Sequence, residues 1–206
     1  MAKDDEIRAG AVILKDLALF NKAAIFFEEQ IDPAIRMAIT ECVTAWIEEH
    51  GWKGEPDVSD DFIDMWLNPA SWEENEDEPL AKFKFGYRAN VETTSYQIAD
   101  LFGVGQSDFG FRFEAEHGKL QGKTAWNTYA KTLGDRVQQL HALGWLHEGK
   151  GVFFRPATLP ASLLVTAWEN EDWTETLVPL KQALEALVAA QSVFDTILNE
   201  AKPTKE

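Results

Sequence analysis

The chain has 206 residues, 45% hydrophobic and 26% charged, which fits a soluble globular protein with a full core and excludes a disordered or fibrous chain. Its formal net charge of −16 gives a mean field that repels nucleic acid. No run reaches the ~20 apolar residues of a membrane span, and Cys42 stands alone, so no internal disulfide can form and a reducing, cytoplasmic setting is expected.

The acidic opening Met1 to Glu6 does not read as a secretory leader. Ile13, Leu17, Phe20, Ala24, Phe27 and Ile31 recur at helical spacing, which predicts a helix over 11–31 packed on the core. Asp32-Pro33 then reads as a break, with Asp32 as cap and Pro33 at the first helical position. Ile35, Ile39, Cys42, Val43, Trp46 and Ile47 form the apolar side of a second helix over 33–50, stopped by Gly51. Cys42 lies on that stripe and is expected to be inert core.

Residues 55–78 hold ten carboxylates and no Lys or Arg. Gly54 to Asp61 reads as turn chemistry. Phe62 to Leu67 is a short apolar run, predicted as a strand and broken by Asn68-Pro69. Trp72 opens the acidic loop Glu73 to Glu78. Acidic runs are usually solvated surface, but a Trp beside one seeks burial or a partner.

Two segments then alternate with period two. Phe83, Phe85 and Tyr87 oppose Lys82, Lys84 and Arg88. Phe109, Phe111 and Phe113 oppose Gly110, Arg112 and Glu114. Both predict half-buried strands, over 81–89 and 108–117. Between them, 95–102 predicts a short helix. The stretch 95–114 also resembles a helix-turn-helix, with Ala99 at the small-residue position, Gly103 at the turn and Val104 packing after it. That resemblance implies a DNA-reading second helix. Gly110 would fall inside that helix and the aromatics run at the wrong spacing, so the strand is the preferred reading.

Trp126, Ala130, Leu133, Val137 and Leu140 predict one helix over 123–143, ended by Gly144. Trp145 to Arg155 reads as a hairpin turning at Glu148-Gly-Lys-Gly, with a strand over 152–155. Helix plus hairpin resembles the recognition helix and wing of winged-helix DNA binders. Pro156 to Pro160 reads as a linker. Helices are predicted over 161–173 and over 179–198, the latter through Leu180, Leu184, Leu187, Phe194 and Leu198. The expected fold is therefore α+β: a small mixed or antiparallel sheet covered by long helices. Residues 1–160 form the core domain, and 161–206 a helical extension packed on it.

Chemistry is sparse. His50, His117, His141 and His147 are scattered, so no metal or cofactor site is indicated. No phosphate-binding loop or nucleophile elbow occurs. The order helix, three strands, helix, strand resembles the core of the restriction-endonuclease-like fold. Active members of that superfamily carry an Asp on one strand and Glu/Asp-x-Lys on the next. Here the strand carries Glu114-Ala-Glu116, with Glu116 at the Lys position and Lys119 beyond a Gly turn. Asp57, Asp60, Asp61 or Asp64 would supply the first carboxylate. The resemblance implies such a core without an intact active site.

The function expected from the residues is non-catalytic: an acidic interaction protein that binds a protein with a basic surface, after the fashion of nucleic-acid-mimicking inhibitors. Its expected contact residues are Asp57, Asp60, Asp61, Trp72, Glu73, Glu74, Glu76 and Asp77. A nucleic-acid binder using 95–140 and an endonuclease-like enzyme are the alternatives.

Overall fold

The computed structural model describes residues 3–59, 61–73, 79–88 and 97–202. Among the described residues, six antiparallel strands form one open sheet in the order β1-β2-β3-β4-β6-β5. They are β1 (Trp52–Glu55), β2 (Trp66–Pro69), β3 (Ala81–Tyr87), β4 (Phe109–Ala115), β5 (Leu146–Gly149) and β6 (Val152–Pro156). The helices are α1 (Lys3–Lys15), α2 (Leu17–Phe26), α3 (Asp32–His50), α4 (Gln97–Leu101), α5 (Lys123–Tyr129), α6 (Gly134–Ala142), α7 (Leu164–Asn170) and α8 (Val178–Ala201).

The period-two aromatics set the register. Phe83 pairs with Phe113 and Phe85 with Phe111, so both sets leave the sheet on one side. Phe153 pairs with Phe113 and extends that face to β6. Two helices supply most of its cover: Ile35, Ile39 and Val43 of α3, and Leu180, Leu184, Leu187 and Phe194 of α8, are buried in the same core. The segment expected as an extension over 161–206 thus contributes a central layer. The heptad-like stripe of α8 is spent on packing.

Several expected elements differ. The strand expected over 62–67 is a 3-10 turn, Phe62–Asp64, followed by β2. Asp61 accepts the Ile63 N–H and turns the chain there before the strand can start. Asn68-Pro69 does not break the strand but closes it, Pro69 facing Trp52 at the end of the ladder where no N–H is required. β1 went unread because Gly54 looked like turn chemistry. The helix expected over 123–143 is interrupted by a 3-10 turn, Ala130–Thr132. The Thr132 hydroxyl donates to the Tyr129 carbonyl, and Gly134 follows, a poor helix-interior residue.

The N-terminal segment departs most. α2 does not stop at Asp32-Pro33; it runs through a π-helical turn, Phe27–Ile31, into α3. A proline inside an α-helix removes a backbone donor and crowds the carbonyl four residues back. The wider π turn relieves that crowding, and the Asp32 N–H donates to the Phe27 carbonyl. Apart from an edge contact of Phe26 on Trp168, this long helix packs on the body only from Phe27 onward. α1 and α2 form an arm beyond it, and no residue of α2 is buried. No helix among the described residues is long and apolar enough to cross a membrane.

Candidate interaction surfaces

The expected contact residues separate in space and in role. Asp57 is exposed and folds back on itself, its carboxylate accepting the Ser59 N–H at 2.8 Å and the Ser59 hydroxyl at 3.1 Å. Asp61 is half-buried and accepts from the Gln97 amide as well as from Ile63. Trp72 is only 2% exposed, and its indole N–H donates to Asp195 of α8 at 2.6 Å. It packs on Phe83 and Phe113 and is core, not a surface anchor. Its burial is the simplest outcome for a large apolar ring that has one polar handle. Glu73 is exposed. Asp60, Glu74, Glu76 and Asp77 lie outside the described residues.

The stretch 95–114 is a helix followed by a strand. Asp100, fully buried at the end of α4, accepts the backbone N–H groups of Gln106 at 2.6 Å and Ser107 at 2.9 Å. Those bonds bend the chain directly into β4, where the helix-turn-helix resemblance required a recognition helix. The hairpin β5–β6 is likewise no free wing, since β6 pairs with β4 inside the sheet.

The sheet face opposite the Phe83 and Phe113 rings carries cations of the central chain, and most of them meet carboxylates. Lys84 pairs with Glu114 at 3.2 Å. Arg88 reaches Asp108 and Glu148, both at 3.2 Å. Arg112 lies near Glu114 and Glu148 and donates to the Tyr87 carbonyl. Lys82 sits over the Trp66 ring at 4.2 Å. Glu114, the carboxylate singled out for catalysis, is therefore one member of a surface ion-pair network. Glu116 accepts the Gly118 N–H. Among the described residues, no three His, Cys, Asp or Glu side chains gather as a metal cluster.

Carboxylates do converge elsewhere. An open cleft of about 540 Å³ lies between α3, the α7–α8 connection and the start of α8. Glu41 and Glu49 line it from α3, Glu171 and Asp172 from the connection, and Glu185 from α8, with Lys181 the one cation among the described lining residues. Trp46 and Trp173 supply apolar wall. The Trp46 indole donates to Glu185 at 2.8 Å and stacks on His50, which fixes that corner. Asp172 is held below the usual carboxylate range by hydrogen bonds from the Thr174 backbone and hydroxyl. Cys42 also lines the cleft, and burial pushes its thiol up, offset in part by Lys181, so the thiolate is disfavoured. Glu41 borders a second, smaller groove shared with Asp57, which joins part of the expected acidic window to the cleft.

Sequence reasoning missed the cleft. Glu41 and Glu49 share a helical face, as do Lys181 and Glu185, so the local signal existed. The approach of two helices about 140 residues apart, bridged by the bond from Trp46 to Glu185, did not exist in it.

No protein-family model, curated protein or solved structure matches the chain.

Proposed function

We propose that the chain is a non-catalytic interaction protein that binds a basic surface on another protein, with the α3–α8 cleft as its centre. The observation that carries this reading is the cleft itself: five carboxylates and one Lys, beside two Trp rings. A partner Arg or Lys can pair its head with a carboxylate while its stem or guanidinium plane lies on the half-buried Trp173. Asp57 and Glu73 add exposed negative charge outside the cleft. In this reading the protein offers carboxylates where a nucleic acid offers phosphates, the strategy of a nucleic-acid-mimicking inhibitor, and a reducing cytoplasm suits its free Cys42.

The test uses an Arg/Lys-rich peptide, with Trp fluorescence as the reporter. Binding should weaken as salt is added, because the attraction is screened. Reversing Glu41→Lys together with Glu49→Lys should slow association by roughly tenfold or more while the protein stays folded. An unchanged association rate in that variant would remove the cleft from the mechanism.

A further inference from the structure

In the arm formed by α1 and α2, α1 opens on a charged turn, Lys3 to Glu6, but its second half and α2 are apolar with no core behind them. Val12 is 73% exposed, Leu14 72%, Leu19 61% and Phe20 50%; Ile7, Ile13, Leu17, Ile25 and Phe26 are also exposed. A helix that is apolar on all sides is normally buried. Those nine side chains leave on the order of 1,000 Å² of apolar surface in water, well above an ordinary exposed patch. Standard stable interfaces bury about 800 Å² on each partner. At the root of the arm lies a groove of about 530 Å³, walled by Ile98, Phe102, Val104, Val165, Trp168 and Trp173, with Glu169 the one charged residue among the described lining residues. The arm's last residue only touches its edge: Phe26 meets Trp168 edge-on at 5.9 Å.

We infer that the occupant of this groove is the arm of a second copy of the chain, in a two-fold exchange where each arm seats in the other's groove. Both halves of the junction are on one chain and are alike in chemistry, which is what an isologous contact requires. Charge does not oppose the contact. In the arm Lys3, Arg8, Lys15 and Lys22 balance Asp4, Asp5, Glu6 and Asp16, so it is neutral in a chain whose total is −16. The segment beside the groove carries Glu169, Glu171, Asp172 and Glu175 and no cation from 160 to 178. A lipid surface fits less well, because anionic headgroups would repel the acidic body.

The experiment is sedimentation velocity over a concentration series, with two variants. Val12→Glu with Leu14→Glu disables the arm at positions that touch nothing in the body. Val165→Glu disables the groove at a side chain that is 67% exposed. Wild type is expected to sediment as a dimer at micromolar concentration, and each variant to dissociate at least about 30-fold more readily. Mixed together, the two variants should form a heterodimer, since one intact arm then meets one intact groove. A wild type that stays monomeric overturns the inference, whether or not it floats with phosphatidylcholine–phosphatidylglycerol vesicles. A dimer that survives Val165→Glu overturns it as well, because the arms would then pair with each other. The reversal Glu41→Lys with Glu49→Lys should leave dimerisation unchanged, so this contact and the cleft can fail separately.

Discussion

Phe194 stacks on Phe113 with ring centroids 4.3 Å apart and planes within 20°. This contact ties the last long helix to the middle of the sheet. Phe83, Trp145 and Phe153 surround the Phe194 ring, and it has no exposed surface. Phe194→Ala should leave a cavity that the rigid strands cannot fill and cost about 3–5 kcal/mol. Phe111→Ala on the same sheet face should cost a similar amount. Denaturant unfolding measures both; a loss under about 1 kcal/mol at either site contradicts the central packing.

Asp100 is the buried carboxylate that organises the turn into β4. Asp100→Ala should strand the Gln106 and Ser107 amides and cost about 2–4 kcal/mol. Asp100→Asn keeps an acceptor oxygen and should cost less. Hydrogen exchange at residues 103–108 should rise in the alanine variant. Equal stability of the two variants would mean that these two bonds do not hold the turn.

Glu200 joins α8 to α5 and α6, accepting the Tyr129 hydroxyl at 2.8 Å and an Arg136 N–H at 3.0 Å. The Tyr129 hydroxyl first, and Arg136 second, hold its carboxyl below the usual range. A depressed carboxylate stabilises the fold above its unfolded pKa and loses that contribution as pH falls through the folded value. Glu200→Gln should therefore lower stability at neutral pH, by less than about 1 kcal/mol for so exposed a group. The gap between wild type and variant should close below about pH 4. A gap that persists into acid would assign the effect to packing rather than charge.

Duplex DNA should not bind sequence-specifically. Lys84, Arg88 and Arg112 are paired with carboxylates on the sheet face, and the segment after Val104 is a strand. Gel shifts at low salt, where phosphate contacts are strongest, are the sensitive measurement. A specific complex abolished by Gln97→Ala or Gln106→Ala would reverse this prediction.

Local periodicity carried much of the fold. Alternation located β3 and β4 within two residues at each end, and the Leu180 to Leu198 stripe located α8. Gly51 ended α3 in the left-handed conformation (φ 65°) that a glycine stop implies. Failures came where a single side-chain bond overrides the pattern, as with Asp61 before the Phe62–Asp64 turn and Thr132 inside the expected long helix. The candidate site was less legible. The charge of the 55–78 window was plain, but Trp72 could not be seen to face Asp195, and neither Glu41 nor Glu185 stands out until α3 and α8 are side by side. The stripe from Ile13 to Ile31 misled for another reason. Helical spacing reports that residues share a face, not that anything lies opposite it.

The π turn at Phe27–Ile31 also sets the aim of the arm. An α-helix advances about 100° per residue, and a π turn absorbs one residue without moving the flanking segments in sequence. Removing one residue on the α-helical side of that turn, such as Asn21, would swing the Leu14, Leu17 and Phe20 surface around the helix axis by about that angle, whereas removing one inside the π turn would not, and either change leaves the body's core residues in place. Direction and composition of the arm are thus separately adjustable. A one-residue change in length, with no change in hydrophobicity or charge, is enough to point the same apolar surface at a different neighbour.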